Sequence, residues 1–255
     1  MKASLEVMGI TQKFLGLVAL NDVNMQINQG EIVGIIGPNG AGKTTLFNVI
    51  TGVYQPTAGT IFLNGNNITN LKPYQITRLG FSRTFQNIRL FGRMTVLENV
   101  EMGMCCRAKA NLFNIIFATK KKRNESSAHR KKAEEILDIM GLLDKKYKMP
   151  GSLPYGEQRR LEIARAMATD PTILLLDEPA AGMNEQETGE LLLTIRRLQG
   201  MGFTIVLIEH DMKFVMNICE RIYVLNHGEL IASGTPVEIQ GNELVIEAYL
   251  GKDVD

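Results

Sequence analysis

The chain has 255 residues, 45% hydrophobic and 22% charged, with 28 basic against 27 acidic side chains and a formal charge of +1, a length that suits one large domain or two small ones. That balance lacks the excess cationic charge of a non-specific nucleic-acid binder, and six Tyr, ten Phe and no Trp make a poor base-stacking platform. No apolar run approaches the roughly 18 residues needed to cross a bilayer, the longest being 112–118 and 173–176.

Along the chain, the N-terminal MKASLEVMGI places Glu6 where a signal peptide would be apolar, so residence in the cytosol is expected. Residues 31–36 (EIVGII) form a β-branched run that leads into GPNGAGKTT, and Leu46, Phe47, Val49 and Ile50 follow at helical spacing. The order is strand, loop, helix. Residues 61–64 before Gly65 read as a piece of an antiparallel hairpin. From 91 to 168 the pattern becomes helical, with Ala133, Ile136, Leu137 and Met140 on one stripe and Lys131, Glu134 and Glu135 off it.

The front of that segment is basic. Residues 107–132 hold nine Lys and Arg against Glu125 alone, a local +8 that leaves −7 for the rest of a chain whose total is +1. Such runs are usually solvated faces; the sharper alternative is a patch near anionic lipid or an acidic partner. Cys105, Cys106 and Cys219 suit neither a disulfide framework nor a zinc site.

Further on, 173–177 (ILLLD) and 204–209 (TIVLIE) are buried-type strands, each preceded by a helical stretch, as in a parallel sheet covered by helices. Residues 222–225, a turn at Asn226, His227 and Gly228, then Leu230 and Ile231 read as a second hairpin. The pattern is an α/β core with antiparallel additions: one unit over 1–255, with core segments 1–90 and 169–255 and a helical subdomain inserted at 91–168.

The string 37–44 satisfies G-x-x-x-x-G-K-[ST]. A polyphosphate needs converging backbone N–H donors that side chains would obstruct, and glycines keep the approach open. Gly37, Pro38, Asn39, Gly40, Ala41, Gly42, Lys43, Thr44 and Thr45 are therefore expected to cradle phosphates. The helix beginning near Gly42 adds its positive end, Lys43 reaches the β- and γ-phosphates, and the Thr44 hydroxyl ligates Mg²⁺. Hydrolysis needs a second, acidic element, one carboxylate for the metal shell and one group to orient or deprotonate water. Asp177, delivered by the strand 173–177, and Glu178, one residue past its end, supply both.

With these strings in hand, the chain resembles, over essentially its whole length, the nucleotide-binding subunits of ABC transporters. The resemblance implies an L-shaped ATPase: a RecA-like P-loop NTPase core with an antiparallel β subdomain and a helical insertion. In family order, Phe14 matches the aromatic that stacks on adenine, and Gln86 in RTFQN the glutamine that contacts γ-phosphate and metal and couples to the membrane partner. LPYGEQRRLEIARA resembles the signature, DEPAAGMN the Walker B and D-loop, and His210 in LIEHD the switch histidine. Pro154 departs from the family's Ser, leaving the N–H groups of Tyr155 and Gly156 for an anion; Asn184 stands where many relatives carry Asp. RTFQNIRLFGRMTVLENV, LLLDEPAAGMN, RIYVLNHGELIASGTP and EAYLG are closest to ATP-binding subunits of high-affinity branched-chain amino acid importers.

The family implies that ATP and Mg²⁺ are bound, with Thr44, Gln86 and Asp177 at the metal. Glu178 is then the base or water orienter, His210 the γ-phosphate sensor, and Lys43 and Gln86 the other catalytic groups. It implies a head-to-tail dimer with a second cassette, two ATPs sandwiched between the phosphate loop of one subunit and 153–156 of the other. Integral membrane permease subunits and, indirectly, a substrate-binding protein complete the assembly, peripheral on the cytoplasmic side of the inner or plasma membrane. The surface at Gln86, Asn87 and 89–91 is expected to receive the permease. Related separate-subunit transporters, a urea or amide importer or a lipopolysaccharide exporter, use nearly the same cassette. A chromosome-structure ATPase needs a longer insertion, a translation-associated protein a second cassette, and a small-molecule kinase lacks the signature and the His210 element.

Overall fold

The computed structural model describes residues 3–107 and 120–250. The apolar run 112–118, Lys109, the last residue of EAYLG, and the side chains of Arg107 and of 120–126 lie outside what is described, and with them most of the basic run.

A long N-terminal hairpin, β1 (Ala3–Phe14) and β2 (Leu17–Asn28), joins β4 (Ala58–Leu63) and β5 (Asn66–Asn67) in an antiparallel sheet of order β2-β1-β4-β5. The second sheet is built on β3 (Ile32–Ile36), β6 (Phe81–Arg83), β7 (Ile173–Asp177) and β8 (Thr204–Ile208). The hairpin β9 (Arg221–Asn226) and β10 (Glu229–Gly234) completes it in the order β10-β9-β3-β8-β7-β6. Five of its strands run parallel and β10 is antiparallel.

The helices are α1 (Lys43–Ile50), α2 (Pro73–Arg78), α3 (Val96–Met104), α4 (Lys120–Ile139), α5 (Tyr155–Met167), α6 (Glu185–Gly200), α7 (Met212–Ile218), α8 (Pro236–Gln240) and α9 (Glu243–Leu250). The expected strands 31–36, 173–177 and 204–209 are β3, β7 and β8 to within a residue, and the expected hairpins are β4–β5 and β9–β10. The long hairpin β1–β2 and the three-residue β6 are additions.

The parallel strands are buried on both faces, so alternate residues feed two different cores. Val33, Ile35, Ile173, Leu175, Val206 and Ile208 meet α1 and the antiparallel sheet. Ile32, Ile36, Leu174, Leu176, Ile205 and Leu207 face the other way, in a core that also holds Leu191 and Ile195 of α6. Val96 and Val100 of α3, Leu161 and Ile163 of α5, and the stripe Ala133, Ile136, Leu137 and Met140 belong to that second core. Helix α7 comes closest to the sheet at Gly34: a Cβ there would lie 2.9 Å from Cys219 Sγ and 3.2 Å from a Val215 methyl.

Helix starts are set locally. Thr95, Asn184 and Thr235 each accept an N–H from a Glu three residues on, whose carboxylate returns to the capping residue. Helix α1 differs: its N-cap is Gly42, with no side-chain acceptor, so the first-turn N–H groups keep their capacity for an anion. Among the described residues no helix is long and apolar enough to cross a membrane.

Candidate active site

The phosphate loop leaves β3 at its C-terminal end, between β9 and β8, and turns into α1. It is pressed against its neighbour so closely that only hydrogen fits at Gly37. With φ 151° there, a Cβ would stand 2.0 Å from the carbonyl oxygen of Leu225 in β9. Lys43, the first residue of α1, folds back over the loop, and its Nζ donates to the carbonyls of Gly37 at 2.6 Å and Pro38 at 2.9 Å. Burial holds this ammonium below its usual pKa, partly offset by the charge of Glu178.

A cavity of about 660 Å³ opens over the loop. Asn39 to Thr45 form its floor, Phe14 and Val18 from the β1–β2 hairpin one wall, and Gln86, Glu178 and His210 the other. Phe14 is exposed and held edge-on by Tyr54, ring centres 5.2 Å apart. The tight turn at Leu15 and Gly16, both at positive φ, carries Phe14 to this position.

Glu178 is the best-defined group. It follows the last residue of β7 with φ 48°, a left-handed backbone uncommon for a non-glycine, and its N–H bonds to Ile208 O at 2.9 Å. Both carboxylate oxygens are engaged: Gln86 Nε2 donates to Oε2 at 2.8 Å, and His210 Nε2 lies 2.9 Å from Oε1. Three residues far apart in sequence thus converge on one carboxylate at the mouth of the loop. His210 is itself positioned by Glu209, which is nearly fully buried and takes the N–H of Ala180 on one oxygen and of His210 on the other. Burial keeps the Glu209 carboxyl above its usual pKa against those bonds.

Asp177 does not line the cavity. It is buried one residue back, with Oδ2 receiving Arg83 Nη2 at 2.7 Å. Arg83 also bonds Asn48 Oδ1 at 2.7 Å and lies over the rings of Phe47 and Phe85. The hydroxyl of Thr44, the amide oxygen of Gln86 and the carboxylate of Asp177 are all hard oxygen donors, the chemistry Mg²⁺ takes. Among the described residues no cluster of three His, Cys, Asp or Glu side chains could hold a metal unaided. A cation completed by substrate phosphates and water suits that sparse set.

Tyr155 and Gly156 stand apart from this cavity. They open α5 behind Pro154, and Gly156, with Pro154, Met183 and Asn184, lines a separate hollow of about 260 Å³. The Gly156 N–H, expected to be open to an anion, is instead given to Glu187 Oε1 at 3.1 Å, while Oε2 of the same carboxylate takes the Asn184 N–H. Arg83, Glu187 and Glu209 were not legible as site residues in the sequence. The pairing of β6 with β7 carries Arg83 to Asp177, and only knowledge of that pairing would have pointed to it.

The family model described as ABC transporter matches residues 20–181, and one described as Branched-chain amino acid ATP-binding cassette transporter matches 229–255. The high-affinity branched-chain amino acid transport ATP-binding protein LivG of Escherichia coli is 49% identical over 97% of this chain and 98% of its own length. BraF of Pseudomonas aeruginosa, with the same description, is 47% identical over the same shares. A crystal structure of the ADP conformation of an ABC transporter's ATP-binding cassette superposes with TM-score 0.86 at 31% identity, covering 99% of this chain and all of that one. The chain belongs to the ABC transporter family, as one of its ATP-binding cassettes.

Proposed function

We propose that this chain binds and hydrolyses ATP to drive import of branched-chain amino acids through separate membrane subunits. The observation that carries hydrolysis is the grip of Gln86 and His210 on both oxygens of Glu178 at the mouth of the phosphate loop. What supports the cargo is the near full-length likeness to LivG and BraF.

Phe14 stacks on the adenine, the N–H groups of the loop and of the first turn of α1 hold the phosphates, and Lys43 neutralises their charge. Thr44 and Gln86, with Asp177 reaching through a water from its place behind the cavity, would hold Mg²⁺, and the ion would screen the developing charge on the phosphates. A carboxylate has about four acceptor positions, so Glu178 keeps capacity for the attacking water after its two bonds, and His210 and Gln86 fix the direction in which it accepts the proton.

The hollow at Tyr155 and Gly156 lies outside the cavity of its own chain, which suits contact with ATP held by a second cassette, a copy of this chain or a relative. In that arrangement Glu187 competes with the incoming γ-phosphate for the Gly156 N–H. Glu187→Gln is expected to tighten ATP-dependent dimerisation roughly fivefold, about 1 kcal/mol, by removing a repelling charge. Sedimentation in a hydrolysis-deficient background measures this, and unchanged dimer affinity would leave Glu187 as a strap between two helices.

The permease has a place to dock. A groove of about 530 Å³ lies between β6 and the helices α3 and α5, lined by Val53, Ile76, Phe85, Phe91 and Met102 among others. Arg89 and Arg165 lie over the Phe85 and Phe91 rings at 4.6 and 5.3 Å. Its size and apolar lining suit an amphipathic helix. The assembly then sits on the cytoplasmic side of the membrane, with a substrate-binding protein on the far side.

The deciding experiment is reconstitution with the membrane subunits in vesicles. ATP-dependent uptake of labelled leucine is expected, and Phe91→Asp is expected to abolish uptake and co-purification while the isolated chain keeps its ATPase rate within about twofold. Hydrolysis with uptake of urea or an amide instead would reassign the cargo, and full transport by the Phe91 variant would remove the groove as the docking site.

A further inference from the structure

Helix α5 carries two charges that its sequence pattern does not predict to be buried. Arg159 is 0% exposed and Glu162 1% exposed, paired at 3.0 Å one turn apart. Their neighbour Arg160 points outward and pairs with Glu190. A buried ion pair is a poor source of stability, because desolvation of two charges can outweigh their attraction. Its retention at the centre of this molecule calls for another role, and the remaining bonds of the pair supply one.

The Arg159 guanidinium reaches three backbone carbonyls from two segments. It donates to Phe85 O and Gln86 O at 2.7 Å each and to Glu178 O at 3.3 Å. Glu162 takes the opposite polarity of the first segment, with Oε1 at 3.5 Å from the N–H groups of Phe85 and Arg89. Together the two side chains satisfy donors and acceptors of the stretch 85–89 and tie it to the residue after β7. A planar guanidinium spreads five fixed donors over a wide fork that reaches carbonyls on two segments, whereas an ammonium has three donors on a single nitrogen. The Nε of Arg159 has no acceptor among the described residues, so the two terminal nitrogens of the fork, set by these carbonyls and by Glu162, fix its direction.

The same helix begins at Tyr155 and Gly156, one turn before Arg159. We propose that Arg159, supported by Glu162, is a positioning residue that fixes Gln86 and Glu178 of one ATP site from the helix whose first turn receives the ATP of the partner cassette. This rests on the ATPase reading above. Movement of α5 on meeting the second nucleotide is then transmitted directly to the backbone of both residues that grip the first. The two sites communicate through one side chain, without passing through the phosphate loop.

The test uses the full chain with wild type as control. Arg159→Lys keeps the charge and its partner but loses the fork. Arg159→Met combined with Glu162→Gln leaves no unpaired charge and retains an acceptor for the 85 and 89 N–H groups. Both are expected to bind a fluorescent ATP analogue within about twofold of wild type, since the phosphate loop is untouched. Turnover is expected to fall about fivefold for Arg159→Lys and tenfold or more for the double variant, with KM little changed and the Hill coefficient for ATP moving towards 1. A merely structural role would lower Tm and leave the split between kcat and KM and the cooperativity unmoved. Turnover within twofold of wild type with an unchanged Hill coefficient, in either variant shown to be folded by its melting curve, would overturn the proposal. Should the double variant not fold, Arg159→Lys alone decides it. A wild-type chain that does not hydrolyse ATP would instead overturn the ATPase reading, and this proposal with it.

Discussion

Glu178→Gln is expected to lower ATP turnover by about 10³-fold, some 4 kcal/mol of barrier, while nucleotide binding stays within a few-fold of wild type. The substitution keeps shape and backbone at a position where φ is 48°, so the turn after β7 is preserved. What changes is the acceptor set. The carboxylate takes one bond from Gln86 and one from His210, and an amide has a single oxygen for the two donors and no negative charge to draw a proton from water. Loss of that charge also removes a repulsion from the bound phosphates, so the ATP-bound dimer should accumulate and be visible by gel filtration in the presence of ATP. Turnover within threefold of wild type would take Glu178 out of the role of base or water orienter.

Lys43→Ala acts one step earlier. The ammonium is held by two loop carbonyls, partly desolvated, and stands where the terminal phosphates of a nucleotide would lie. Charge-assisted bonds are each worth roughly 1.5–3 kcal/mol, so deleting one that meets two phosphates is expected to cost about 3–4 kcal/mol of binding, a 10²- to 10³-fold rise in Kd. Calorimetry with ATP measures it directly. A second reading comes from linkage: millimolar ATP should raise the Tm of wild type and fail to raise that of the variant. The two substitutions separate binding from chemistry, the first keeping affinity and losing turnover, the second losing both. Unchanged affinity in the Lys43 variant would contradict the phosphate-loop assignment.

Much of the fold was readable from the chain alone because the central strands are continuous apolar runs, and the loop 37–45 stood out because its glycine-lysine spacing falls between a strand and a helix. The stripe Ala133, Ile136, Leu137 and Met140 was equally plain, and all four are buried. The first 28 residues were not read as strands, although Val23, Met25 and Ile27 alternate with Asn24, Gln26 and Asn28 as a half-buried strand requires; what the alternation does not carry is the pairing of β1 with β2, whose register shifts several times between Ala3 and Lys13. Strand β6 is too short to show any period.

At the site, Glu178, Gln86 and His210 were each singled out, but their convergence on one carboxylate needed coordinates. Arg83, Arg159, Glu162 and Glu209 escaped notice because a charged residue in a helix or beside a strand defaults to the surface. Each is buried or nearly so, and each is engaged with the backbone or side chains of a segment of the candidate site. Glu187, at the start of α6, answers a need that becomes visible only once α5 is beside it.

The inner strands β3, β7 and β8 are buried on both faces, and this bears on how the residues of the candidate site beside them are held in place. In a half-exposed strand, sliding by one residue is forbidden because it turns apolar groups to water. Here the same slip would exchange the contents of two apolar cores and expose nothing. What forbids it is volume. Gly34 is the one position of β3 facing α7 that has room for hydrogen alone, and a shift in either direction would drive Val33 or Ile35 into Cys219 and Val215. The axial position of β3, and with it the depth at which Gly37 emerges beside Leu225, is set by an absent methyl group. A Gly34→Ala change would therefore act on the site without touching it.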